Sequence, residues 1–358
     1  MKIITYKWLC HILLISLACV ILLPHPAFAC SVPVFKYALA YWPSDPYEII
    51  VFHRGPLTAE EHAIVYKLQR ASWDDSFRAN VTVETVDLAG SPNVIMQKLW
   101  ESQSASELPW MLVKYPRFSA VSDDLWAGKF TADVVELLLD SPVRKKIARS
   151  LLDGEVAVWV LLDSGIREQD EAAASLLKDE LKKMSEGLNI VIPELGEEQL
   201  GDLDQRVSFS MIRLSRDDPN EQMFIQMLLR SEWDLKDYPK PIAFPIFGRG
   251  RALYALVGDG IRAGNIEMAC SFLVGWCSCQ VKADNPGVDL LMSVNWHDAI
   301  DAILYEETTQ LLRASEPDVI VDEGSGNLKR NILVVVSIQV LIAIIAAFAV
   351  LWRRKQRA

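Results

Sequence analysis

"PIAFPIFGRGRALYALVGDG", residues 241–260, carries two apolar runs, Ile242–Phe247 and Ala252–Val257, on either side of Gly248-Arg249-Gly250. Runs of this length parted by a glycine-rich triplet predict a β-hairpin. Pro241 stands directly before the first strand, and Pro245 interrupts it, removing one ladder donor. A helix is expected to follow, from a capping Asn265 towards Trp276. Upstream the chain reads as a fully apolar strand Val156–Leu162, then a helix Glu168–Met184 with Leu177, Leu181, Met184 and Leu188 at helical spacing. A strand Val207–Leu214 and a helix Pro219–Arg230, capped by Asp218, complete the run.

The first half repeats that order. Tyr47–His53 predicts a strand and Thr58–Ala71 a helix, with Thr58 and Glu61 in capping-box spacing. Val81–Leu88 and Asn93–Glu101 follow as strand and helix. Pro109–Tyr115 and Leu125–Phe130 form a second hairpin, also opened by a proline. A helix starts at Thr131 and restarts at Ser141-Pro142, running to Leu152. Both halves read β-α-β-α-β-β-α, so duplication of a fold is the economical account.

This order, with Pro109 and Pro241 ahead of the hairpins, resembles the thioredoxin-like fold superfamily, in which a cis proline occupies that place. The resemblance implies an α/β fold of two tandem thioredoxin-like domains, residues 30–153 with an N-terminal helix and residues 154–300. The family's Cys-x-x-Cys lies where the first core strand meets its helix, where a helix N-terminus lowers a thiol pKa. Here those junctions read "FHRGPLTAEE" (52–61) and "LLDSGIREQDE" (161–171), and neither contains cysteine. The resemblance therefore implies noncatalytic domains that bind or scaffold a partner, with no cofactor.

The chain ends bear on location. Lys2 and Lys7 precede the apolar run Leu9–Leu23, and Ala27-Phe28-Ala29 is a small-x-small cleavage site, so residues 1–29 read as a secretory signal. Cleavage there leaves Cys30 first, open to lipidation, disulfide pairing or reactivity at a helix start. Asn331–Trp352 is 22 residues without a charge, enough to span a hydrocarbon core of about 30 Å. Residues 301–330 read as a juxtamembrane helix and linker, and 353–358 as a short tail with four positive charges. That excess belongs in the cytoplasm, which predicts a single-pass protein of the bacterial cytoplasmic membrane with its N-terminal part in the periplasm or outside the cell. Between residues 30 and 328, 47 acidic side chains face 28 basic ones. Such a field argues against nucleic acid as a partner and against lying flat on anionic lipid.

Four cysteines survive signal removal: Cys30, Cys270, Cys277 and Cys279. Cys270 and Cys277 share a helical stripe with Ile266 and Leu273, which reads as core. Seven residues apart on a continuous helix, they are about 10.5 Å apart along the axis, too far to pair. Cys279 falls at the helix end, where Cys30 joined to Cys277 or Cys279 would tie the N-terminal helix to the second half. The pair Cys277 and Cys279 is also a redox candidate with Cys30, and a two-thiolate set that suits copper(I). Only His53, His62 and His297 remain as imidazoles in the mature chain, none at zinc spacing from that pair.

Gly258, Gly260 and Gly264 imitate a dinucleotide fingerprint with the third glycine one place late, and Arg249, Arg251 and Arg262 lie close by. The alternative is a turn and a helix start. Asp74-Asp75, Asp123-Asp124 and Asp217-Asp218 occupy turn and cap positions, and Asn80-Val81-Thr82 matches a glycosylation sequon. The expected function is noncatalytic partner binding or assembly in the cell envelope. Its alternatives are thiol-disulfide exchange through Cys30 with Cys277 or Cys279, and soft-metal handling.

Overall fold

The computed structural model describes residues 32–105, 107–117, 119, 121, 124–189, 207–277 and 281–302. The signal, Cys30, Cys279, the juxtamembrane segment, the expected membrane span and the tail lie outside the described residues. Among the described residues no helix is long and apolar enough to cross a membrane. What is described is a mixed α/β protein with two sheets.

The first half begins with α1 (Val34–Tyr41), β1 (Tyr47–His53) and α2 (Ala59–Ala71). Thr58 and Glu61 close the expected capping box at the start of α2, each side chain meeting the other's backbone amide. β2 (Val81–Asp87) and α3 (Val94–Glu101) follow, with Asn93 capping α3 through Met96 N. β3 (Trp110–Lys114) and β4 (Asp124–Lys129) form the hairpin. α4 (Ala132–Leu139) and α5 (Pro142–Leu152) are capped by Thr131 and Ser141, the latter with proline in the first turn. The sheet order is β2-β1-β3-β4, with β1 parallel to β2 and antiparallel to β3.

The second half has β5 (Ala157–Leu162), α6 (Arg167–Gly187), β6 (Phe209–Leu214), α7 (Gln222–Leu229), β7 (Ile242–Phe247), β8 (Arg251–Ala252), β9 (Leu256–Val257), α8 (Ala263–Val274) and β10 (Val288–Asp289). Its order is β10-β8-β7-β5-β6, with β9 also on β7. Again the first strand, β5, is parallel to the second and antiparallel to the third. Two expected caps differ. Asp218 accepts from Asn220 N in a turn, so α7 starts three residues later than the sequence suggests, behind Glu221. Asn265 lies inside α8, where its Nδ2 donates to Gly260 O.

Pro245 is accommodated by a break in the outer strand. Ala243 faces Leu256 and Ile246 faces Ala252, so residues 253–255 oppose only Phe244 and Pro245. That extra residue is a β-bulge at the missing donor. Pro245 O still accepts from Leu253 N at 2.9 Å, and the displaced Ala255 N donates to Glu232 Oε1 at 2.7 Å.

One buried cluster runs between the sheets. It joins Ile49, Val51, Met111 and Val113 of the first sheet to Val158, Val160, Phe244 and Ile246 of the second through residues of α2, α4, α5 and α7. The outer face of the second sheet packs Trp159 and Phe247 against α1, α6 and α8. Among the described residues, the outer face of the first packs Ile50, Phe52, Val86 and Leu112 against Met96, Leu99 and Trp100 of α3 and Leu108 of the loop before β3.

The first and last described segments cross between halves. α1, grouped by sequence with the first half, buries Val34, Phe35, Ala38 and Trp42 against the second. Each large side chain so buried stabilises by about 1.5–3 kcal/mol. Gly248, at φ +57°, makes this approach feasible, because a Cβ there would stand 2.8 Å from that of Ala38. In return, Leu290, Leu291 and Met292 pass under the first half. There Met292 N donates to Asn80 Oδ1 at 2.7 Å, and Tyr47 Oη donates to Asp289 O at 2.9 Å.

Candidate functional site

Each half has one edge where the first core strand turns into its helix, the place sequence singles out. In the first half Phe52 faces Trp110, so His53 and Pro109 are the next opposed residues. The Leu108–Pro109 bond is cis. His53 Nδ1 lies 2.8 Å from Gly55 O, and Asp87 Oδ1 accepts from Gly55 N at 2.9 Å and Ala89 N at 2.8 Å. Those backbone bonds hold the Asp87 carboxyl below its ordinary pKa, since they favour the charged form. Arg54 and Pro56 are exposed beside them. After Asp87 the chain reaches α3, where Val94 and Ile95 are 68% and 75% exposed.

The second edge is built differently. Leu162 faces Ile242, so Asp163 and Pro241 are the next opposed residues, and the bond before Pro241 is not cis. Asp170, buried in the first turn of α6, accepts from Ser164 N, Ser164 Oγ and Gly165 N at 2.7, 2.7 and 3.0 Å. Arg216 then bridges the loops, donating to Asp163 O, Tyr238 O and Lys240 O at 2.9–3.1 Å. Burial lowers its pKa, opposed by the charge of Asp170. Gly258 closes the edge from the far side: its N–H meets Pro241 O at 2.9 Å, and a Cβ there would strike Lys240 and Tyr238 at 2.7 Å.

The glycines at 258–264 therefore form a turn packed on the Pro241 loop. The nearby arginines do not converge on the start of α8: Arg249 donates to Leu39 O and Ala40 O, and Arg251 pairs with Asp289 at 2.8 Å.

The cysteines lie elsewhere. Cys270 is fully buried with Ile266 and Leu273, and desolvation pushes its thiol up to about 12, which keeps it protonated and unreactive. Cys277 lies three residues beyond the end of α8 and is 2% exposed. Its N–H donates to Val32 O at 3.0 Å, and Val34 N donates to Gly275 O at 2.9 Å, so Pro33 stands opposite Trp276. Cys30 and Cys279, the other redox and metal candidates, lie outside the described residues. Among the described residues no three His, Cys, Asp or Glu side chains gather as a metal site.

Asn80 is already engaged. Its Nδ2 donates to Asp45 O at 2.8 Å and Leu290 O at 3.2 Å, so the sequon amide is part of the packing between halves. Sequence reasoning missed Asp87, Asp170 and Arg216, which set the two edges. An aspartate near a strand end or helix start signals a loop clasp, but its amide partners are non-local and carry no motif. No protein-family model matches the chain, and no curated protein matches it.

Proposed function

We propose that this is a membrane-anchored, exported protein whose halves are tandem thioredoxin-like domains, acting noncatalytically to bind a partner protein in the cell envelope. The strand orders β2-β1-β3-β4 and β6-β5-β7-β8, with a proline opposite the end of β1 and of β5, support the fold reading. One observation carries the noncatalytic reading. At both strand-to-helix edges the place of a reactive thiol is taken by loop amides bound to Asp87 and Asp170. The first edge is the better candidate for partner contact, because Val94 and Ile95 are exposed there.

Two variants test this in the full-length membrane-bound chain. Val94→Asp/Ile95→Asp is expected to abolish partner crosslinking while stability changes by no more than about 0.5 kcal/mol. Cys277→Ser/Cys279→Ser is expected to keep partner and function. Loss of function in the cysteine variant with an intact fold overturns the proposal.

A second reading, thiol-disulfide exchange, is favoured by the pairing of Val32 with Cys277. Cys30 precedes Val32 by two residues and Cys279 follows Cys277 by two. That reading expects an alkylatable thiol of low pKa and a mixed disulfide with substrate. Thiol titration in which every cysteine is inert removes it.

A further inference from the structure

β2 closes the first sheet on one side and, among the described residues, pairs with β1 alone. At the two ends of this parallel pair Asn80 O accepts from Tyr47 N at 2.9 Å and Leu88 N donates to His53 O at 2.8 Å. Bonding direction alternates along a strand, so the even-numbered residues from Asn80 to Leu88 serve β1. The N–H and C=O groups of Val83 and Thr85 therefore point away from the sheet, and among the described residues no second strand meets them. The chain's own last segment stops short of them. Ala79 bridges Ser293 and Asn80 N donates to Met292 O at 3.3 Å, both before β2 begins.

Two of the other outermost strands are blunted. β4 is broken by a bulge, since Val113 faces Trp126 but Lys114 faces Asp124, and β10 has two residues. β6 adjoins residues 190–206, outside those described. β2 instead runs seven residues, VTVETVD, in unbroken register, β-branched at Val81, Thr82, Val83, Thr85 and Val86 and without proline. A strand of this kind is a template for another. At its centre stands Glu84, exposed and, among the described residues, in no ion pair. That position disfavours a second copy as the occupant. Antiparallel self-pairing over the whole strand sets Val83 against Thr85 and Glu84 against itself, and like charges directly opposite are destabilising. A positive side chain opposite Glu84 is favoured for the same reason, and the excess of acidic over basic residues between 30 and 328 attracts the same sign.

We propose that β2 takes an extended segment of a partner protein as an added strand, with a lysine or arginine of that segment opposite Glu84. The inference rests on the partner-binding reading above and deepens it, naming the form and charge of what is bound. Backbone bonds to Val83 and Thr85 supply affinity in this mode, and the side chain opposite Glu84 supplies preference.

The test titrates the full-length chain in detergent with two fluorescent peptides of alternating threonine and valine, one with a central lysine and its twin with a central glutamate. The lysine peptide is expected to bind about fivefold more tightly, and Glu84→Lys to reverse that order. Thr85→Pro removes an outward N–H, where an outermost strand tolerates proline, and is expected to weaken both peptides about tenfold. Circular dichroism checks the fold of each variant, and if Thr85→Pro does not fold, the reversal in Glu84→Lys decides alone. Unchanged binding to a folded Thr85→Pro, an unreversed order in Glu84→Lys, or no binding of either peptide overturns the inference. Partner crosslinking lost in Val94→Asp/Ile95→Asp but kept in Thr85→Pro overturns it and leaves the partner-binding reading standing. Self-association of the chain that Thr85→Pro abolishes overturns the choice of occupant.

Discussion

The two strand-to-helix edges share a topology and differ in how they are held. The first is clasped by Asp87 at the end of β2, and α3 packs on that sheet's outer face. The second is clasped by buried Asp170 and braced by Arg216 across three carbonyls. One scaffold thus carries an open edge and a closed one. The open edge leaves Val94 and Ile95 exposed, and on the proposed reading it is the edge that a partner would meet. The closed edge does structural work.

The sharpest way to break this comparison is to separate the halves. Arg144 is buried at the start of α5, donating to Leu138 O and Leu291 O, and burial draws its pKa down to about 10. Arg144→Ala strands those carbonyls and is expected to cost about 3 kcal/mol in denaturant unfolding. If the halves form one cooperative unit, fluorescence and circular dichroism shift together; a split transition would show that the first half unfolds alone.

Arg216→Ala tests the closed edge. It is expected to cost about 1–3 kcal/mol and to speed hydrogen exchange at Gly258, with Gly55 unchanged. Equal acceleration at both glycines would remove the distinction between the edges.

A third outcome concerns Cys270. Its alkylation in the native protein is expected to be slower than after unfolding by at least about 100-fold, because the thiol is both buried and protonated. Ready native labelling at Cys270 would contradict the packing of α8.

The smallest effect belongs to Asp87. Its folded pKa lies below the unfolded value of about 3.9, so its stabilisation is present above that value and is lost as pH falls through the lower one. Exchange at Gly55 and Ala89 is expected to rise over that acidic window, and Asp87→Ala should reproduce the rise at neutral pH. No change at either amide would remove Asp87 as the clasp.

Much of the fold was legible because its signals are local. Thr58 with Glu61, Asn93, Thr131 and Ser141-Pro142 all mark helix starts within a few residues of chain. Asp218 and Asn265 misled because each side chain found a closer backbone partner than the helix it seemed to cap. Pro245 was legible as an irregularity, but its resolution by a bulge and by Glu232 was not. The candidate site was less legible still. Absence of cysteine at the two edges could be read directly, whereas the clasps could not.

Local pattern, then, determined the repeated β-α-β-α-β-β-α order, the apolar strands and the caps, since each depends on residues near one another in sequence. Tertiary structure alone decided that α1 packs on the second half, that Leu290–Met292 pass under the first, and that Val32 meets Cys277. It also decided that one strand-to-helix edge is open and the other braced. The reason is physical: these contacts join residues from 22 to 245 positions apart, and no period or spacing in the chain encodes which distant carbonyl an arginine will reach.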